Sequence, residues 1–371
     1  MKPALAAAGA ALFVLLAVSN SAGYRYGASD QSFYLPAAAR AADPTLFPRD
    51  APLLDAQARL TAADELLAAA ARAPRLARAA LGRSKGAGAP LSLDVPIVLL
   101  VGYIAGLLLL CAAAFEFGKA LNGSVWTATA LAAALTLRHG ISRAGVNTLE
   151  GYFHPRLIVF AAGVLALAWF LRGRTWRALA LVALSAAIHP TTALWFLVWI
   201  GVAAILSDRK ARVPLEALAA AGAAIAVWAL AAGPLAARLV RMDAVWLAAI
   251  GGKDYLFPDR WPVYAWIANL AYPMLTAALA YARHRDGRLS RAERGLVAGA
   301  FALVVIFLVS IPFNAARVAL VVQLQIARVF WMLDFLATAL LVSWLTGRSR
   351  SRAPLVAVAL VVLAAARGAY I

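Results

Sequence analysis

Arg172-Gly173-Arg174-Thr175-Trp176-Arg177, an apolar run to Ile188, His189-Pro190, a second apolar run to Leu206, then Asp208-Arg209-Lys210-Ala211-Arg212: the reading of this stretch decides the fold. Both of its flanks are strongly basic. Short connections rich in Lys and Arg stay on the cytoplasmic side of a membrane. If both flanks lie inside, the chain between them must cross an even number of times. His189-Pro190 supplies the turning point, since proline removes a backbone donor and disfavours helix in the residue before it. The pattern predicts two short helices, 177–188 and 190–206, meeting at His189 on the outer side.

That the chain lives in a membrane follows from its composition. Of 371 residues, 64% are hydrophobic and only 14% charged, with a mean hydropathy of +0.80, which lies outside the range of soluble domains. The net charge of +18 suggests nucleic acid at first sight. The basic residues, however, fall in short clusters between apolar runs, which is a topology signal, so a nucleic-acid partner is excluded. The single cysteine, Cys111, sits inside an apolar run and reads as a small core residue.

Working outward, the apolar runs predict an all-α polytopic bundle of about 11 spans, short ones being tolerated inside a bundle. They cover 3–22, 94–115, 120–137, 155–171, 177–188, 190–206, 213–232, 263–281, 295–312, 328–346 and 353–367. Lys119, Arg172–Arg177, Asp208–Arg212, Arg283–Arg294 and Gly347–Arg352 then fall on the cytoplasmic side, with the N-terminus. The first span reads as a retained signal anchor in a bacterial inner membrane. Residues 1–371 form one transmembrane domain, whose odd span count leaves open that the chain continues beyond Ile371.

The loop 23–93 is then periplasmic. Within it Pro52–Leu81 reads as helix along the membrane surface, with Arg72, Arg75 and Arg78 toward lipid headgroups, and Gly82–Pro90 as a flexible link. Most acidic residues collect on this side. Solvation of a long loop accounts for Asp55, Asp64 and Glu65, but less well for Asp30, Asp50 and Glu150, which stand near membrane mouths among aromatics.

Ionisable residues at such positions are expensive, so each is a functional candidate. Asp30 and Asp50 can serve as a general base or a metal partner; the plain alternatives are a helix cap at Asp30 and a local Arg49–Asp50 ion pair. Glu150, His154 and Arg156 gather before the fourth span, where Arg156 suits an anion and the trio alone is too poor for zinc. His189 with Thr191 and Thr192 points into the same outer space. Gln325 and Arg328 open the tenth span, where a guanidinium can bind a lipid-linked phosphate; pairing with Asp334 six residues on has poor helical spacing. No nucleotide loop, Gly-x-Ser-x-Gly or His-Glu-x-x-His motif is present.

Taken together, several features resemble the GT-C superfamily of membrane glycosyltransferases. They are the short start, the single span, the long outer loop opening with Ser29-Asp30-Gln31-Ser32-Phe33-Tyr34-Leu35-Pro36, the His189-Pro190 break and Gln325-Ile326-Ala327-Arg328. The resemblance implies transfer of a sugar from a polyprenyl-phosphate carrier, with membrane lipids around it, to an acceptor on the periplasmic face. It implies Asp30 as base, Arg328 with Arg156 on the carrier phosphate, and Asp50 and Glu150 positioning the acceptor or a divalent metal ion, the one cofactor in view. The chain departs from that pattern in having no Asp-x-Asp pair in the first loop and no outer C-terminal domain. Two rival classes are a transporter or flippase for a lipid-linked or small anionic substrate, with Arg328, His189 and Asp334 lining its path, and a non-catalytic assembly protein. A transporter usually repeats its broken helices in matching halves, and only the break near His189 is present.

Overall fold

A computed structural model of the chain describes residues 3–58, 61–80, 94–233, 235–347 and 351–371. The Gly82–Pro90 link expected above lies outside the described residues. The protein is an all-α bundle; a two-residue hairpin pairing Gly140–Ile141 with Val146–Asn147 is the sheet among the described residues.

α1 (Pro3–Asn20) leads into α2 (Gln31–Ala42), α3 (Ala51–Ala58) and α4 (Ala63–Ala80). The bundle continues with α5 (Asp94–Asn122), α6 (Val125–Leu135), α7 (Pro155–Leu171), α8 (Thr175–Ser185), α9 (Pro190–Ser207) and α10 (Arg209–Ala231). After the small helix α11 (Ala244–Ile250) come α12 (Val263–Arg285), α13 (Arg291–Ala315), α14 (Ala319–Leu324), α15 (Val329–Gly347) and α16 (Ala353–Tyr370). Among the described residues, eight helical segments are long and apolar enough to cross a membrane, and α6, α7 and α8 are shorter apolar helices. At 1.5 Å per residue, an 11-residue helix such as α8 covers roughly half of a 30 Å hydrocarbon layer. It survives because α7 and α9 pack on either side of it. The chain breaks at His189, with Pro190 opening α9.

α15 is the most enclosed span, carrying Trp331, Phe330 and Phe335 fully buried. The ring of Trp331 stacks on Phe160 of α7 with centroids 3.9 Å apart and planes 6° from parallel. α7 in turn meets α9 at Gly163, where a side chain in place of the glycine would collide with the Phe196 ring. Helices in lipid gain close backbone approach from small residues in this way.

At the arginine-rich end the structure differs from the expected connection over Arg283–Arg294. α12 and α13 extend into it from both sides, leaving 286–290 as the turn, and Arg283 and Glu293 are buried as an ion pair. Arg283 also donates to Asn122 at 3.1 Å and to Ser343 at 2.7 Å. Glu293 doubles as the return partner of the Ser290 cap, which opens α13. Hydropathy reads both residues as loop because it counts charges singly, whereas the pair neutralises itself.

The first loop packs on the bundle through α2 against α4 and α4 against α5. Arg40 ties α2 to α3 through Asp55 at 2.9 Å. Arg72, exposed on α4, donates to the carbonyls of Ala41 and Ala42 at the end of α2. The side chains of Arg75 and Arg78 lie outside the described residues. The Ala62 amide, ahead of α4, donates to the Ala187 carbonyl at 2.7 Å, pinning this helix to the turn before His189.

Candidate functional site

The start of α7 builds the centre of the site. Pro155 occupies the first helical position, where its missing N–H costs nothing. His154 caps the helix by accepting the Arg156 amide on Nδ1 at 3.1 Å. A nitrogen that accepts carries no proton, so the ring is neutral with its hydrogen on Nε2. That hydrogen points at the Asp30 carboxylate, 3.0 Å away.

Asp30 is brought there by a short series of contacts. The Arg25 amide donates to the Gly151 carbonyl at 2.6 Å, and a Cβ on Gly151 would sit 2.6 Å from the Gly23 carbonyl oxygen, so only glycine permits this approach. Gln31, fully buried, donates to the Phe153 carbonyl at 3.1 Å and accepts the Gly27 amide at 2.7 Å. Asp30 stands at the cap position of α2 but makes no cap bond. Its side chain turns instead to His154 and, at 3.7 Å, to Arg156.

Arg156 is 3% exposed and forms an ion pair with Glu150. Glu150, His154, Arg156 and Asp30 are therefore one assembly. His189 joins them, its ring 5.8 Å from that of His154. It caps α9 as His154 caps α7, accepting the Thr192 hydroxyl on Nδ1 at 2.9 Å and the Thr192 amide at 3.3 Å. Two neutral imidazoles thus stand at two helix starts.

Arg328 closes the short helical turn between α14 and α15. Gln325 enters this turn in the left-handed region (φ +48°), a strained backbone for a non-glycine residue. Among the described residues the Arg328 side chain has no ion pair, and its Nε is buried without a hydrogen-bond partner. Asp334, the pairing candidate from the sequence, belongs to His139 instead, at 2.8 Å.

The charges respond to this arrangement. The His154 hydrogen bond, against the effect of burial, holds the Asp30 carboxyl down at about 2, with Arg156 and Arg328 adding to it. Burial and then the charge of Arg156 push His154 well below the usual imidazole range. Burial, followed by Arg328 and Arg156, holds His189 at about 3. Each imidazole stays neutral in the folded chain and takes a proton near 6.5 when unfolded, so stability falls as pH drops from 6.5 toward 3. His189→Asn, whose amide oxygen also caps a helix, is expected to flatten that decline in a melting-temperature series across this window.

Asp50 does not join the assembly. It is exposed, its carbonyl accepts the first amides of α3, and no Arg49–Asp50 ion pair occurs among the described contacts. The Gln325 side chain lies in a small cleft beside Tyr255, Ser310 and Asn314, its Oε1 buried without a partner.

Two neighbours escaped the sequence reading. Tyr34 presents its ring edge-on to His154 at 5.2 Å, and burial, with the Asp30 charge, pushes its hydroxyl up to about 12. Asp64, expected to be solvated, is 3% exposed, and its Oδ1 has no hydrogen-bond partner among the described residues. The signal for Tyr34 was its i+4 spacing from Asp30; Asp64 had none.

A divalent metal ion does not fit these residues. Among the described residues no three His, Cys, Asp or Glu side chains converge as ligands. Asp30 and Glu150 already face N–H donors, and the guanidinium groups beside them would repel a cation. The arrangement suits an anion.

Comparison with known proteins finds no matching family model, no matching curated protein and no matching solved structure.

Proposed function

We propose that this chain is a membrane glycosyltransferase that moves a sugar from a polyprenyl-phosphate carrier to an acceptor, at the end of the bundle that holds Asp30, His154, Arg156, His189 and Arg328. The observation that carries this reading is the inequality of the two arginines: Arg156 is matched by Glu150, whereas Arg328, half-buried with its Nε enclosed and without a hydrogen-bond partner, has no ion pair among the described residues. A guanidinium drawn partly out of water without a partner is costly, and a phosphate supplies two adjacent oxygens for its paired N–H groups.

In transfer, the bond between the anomeric carbon and the phosphate oxygen breaks, and its electrons pass to that oxygen. Arg328, with Arg156, stabilises the charge that develops there. Asp30 stays ionised, which suits it to orient the acceptor hydroxyl and to offset positive charge growing on the sugar ring. His154 and Arg156 fix its position. The chain sits in the bacterial inner membrane with its N-terminus cytoplasmic and this site periplasmic, in keeping with the basic connections at the opposite end.

Asp30→Asn is expected to lower transfer at least a hundredfold while the carrier binds as well as to wild type, since no positive charge is lost. The check is release of polyprenyl phosphate in membranes from cells lacking the protein, where the unused lipid-linked sugar accumulates. An unchanged rate in Asp30→Asn sinks the reading.

A further inference from the structure

We propose that Asp64, rather than Asp30, is the carboxylate that takes the proton of the acceptor hydroxyl. This rests on the transfer reading above and assigns a chemical step within it. The geometry begins with α4. Asp64, Ala68 and Ala71 are buried on one stripe of this helix while Glu65 and Leu66 face out. Leu67, Ala68 and Ala71 line an apolar cleft shared with Tyr34 and Ala38 of α2 and Leu99 of α5. Residues three and four apart on a helix share a face, so Asp64 stands one turn before Leu67 and Ala68, at the end of this cleft.

Tyr34 touches both surroundings: its ring meets His154 edge-on at 5.2 Å, it lines the cleft with Leu67 and Ala68, and its hydroxyl feels the charges of both Asp30 and Asp64. The Ala62–Ala187 hydrogen bond brings the start of α4 against the turn that carries His189. Asp64, two residues beyond Ala62 on the buried stripe of α4, therefore stands next to the site on the side of the first loop.

The two carboxylates differ in what they are free to do. Asp30 is engaged by the His154 N–H and by Arg156, which drain its basicity. Asp64 has a buried oxygen that no donor reaches among the described residues, so that an incoming hydroxyl would be its first partner there. The groups that face it are Tyr34 from α2, the turn before His189, and Glu65 on its own helix, while α5 presents apolar side chains to the cleft. Burial, with the charge of Glu65, raises the Asp64 carboxyl to about 6, close to the optimum for a base at neutral pH. In the step itself the acceptor oxygen bonds to the anomeric carbon as its proton passes to Asp64. The anomeric carbon–oxygen bond breaks with its electrons on the carrier phosphate, and Asp64 later returns the proton to water.

The test measures transfer against pH in the same membranes, with the accumulated lipid-linked sugar as donor. Wild type is expected to lose activity as pH falls through about 6. Asp64→Asn should be at least a hundredfold slower and show no such limb; Asp64→Glu should keep it. Asp64→Asn within threefold of wild type, or with the limb intact, overturns the proposal while leaving the transfer reading in place. Absence of transfer in wild type overturns both. A second measurement needs no substrate. Dicyclohexylcarbodiimide attacks protonated carboxyls in apolar surroundings, so its labelling of Asp64 should decline as pH rises through about 6. Labelling that does not change with pH counts against Asp64 as a proton acceptor even if transfer occurs.

Discussion

Arg328→Met is expected to abolish carrier turnover while leaving the folded protein as stable as wild type or more so. Most buried arginines behave otherwise, because removing one strands a carboxylate. Here nothing is stranded: among the described residues the Arg328 guanidinium has no ion-pair partner, and its Nε has no hydrogen bond. Its neighbours include a like charge, Arg156, which also holds down the His189 imidazole alongside it. Methionine fills similar volume without the desolvation cost. The lost interaction is with charge on the leaving phosphate, for which single donors are worth about 10²–10³ in rate. Arg328→Lys should recover only part, since an ammonium lacks the paired donors of a guanidinium. The pairing of lost transfer with an unchanged or higher melting temperature is the informative result. A melting temperature well below wild type would mean that Arg328 holds the bundle together, and that the anion site has been misread.

The second large effect lies at the opposite end. Arg283→Ala is expected to destabilise the folded protein by about 3–5 kcal/mol, the usual cost of breaking a buried ion pair from one side. Glu293, 5% exposed, would lose its charge partner. Asn122 and Ser343 would each lose a donor. Denaturant titration in detergent micelles measures this directly. The double substitution Arg283→Met with Glu293→Leu should recover most of the loss, since replacing both charges leaves no ion unpaired. If the double variant is no better than the single, the pair's value lies in the hydrogen bonds to α5 and α15 rather than in its charge balance.

Much of the fold was legible because lipid allows few solutions. The break at His189 could be placed from a proline and two basic flanks, each a local signal with a physical cause. Pro155 marked the start of α7 for the same reason. The burial of Arg283 and Glu293 was not legible, because a neutralised pair and a solvated turn are written with the same letters. The site was legible in part. Asp30, Glu150, His154, Arg156, His189 and Arg328 stood out as ionisable residues at membrane mouths, and the fold brings them together. Asp50 read as a secondary partner to Asp30, but it stays outside the assembly, because it is Asp30 that has Gln31 beside it to anchor the chain at Phe153. Asp64 and Glu65 are adjacent and alike in sequence. Which of them faces inward depends on how α4 rolls against α2 and α5, and that is settled by packing across tens of residues. His139 finds Asp334 over an even longer separation.

The stacked rings of Phe160 and Trp331 have a mechanical role as well as a hydrophobic one. Arg156 lies one turn before Phe160 on α7, and Arg328 lies three residues before Trp331. The stack therefore clamps α7 to α15 just below these two residues, so the spacing of their backbones is set by ring against ring rather than by flexible side chains. If the anion proposed above binds there, it meets a gap of fixed gauge, and binding should slow hydrogen exchange at the starts of α7 and α15 together.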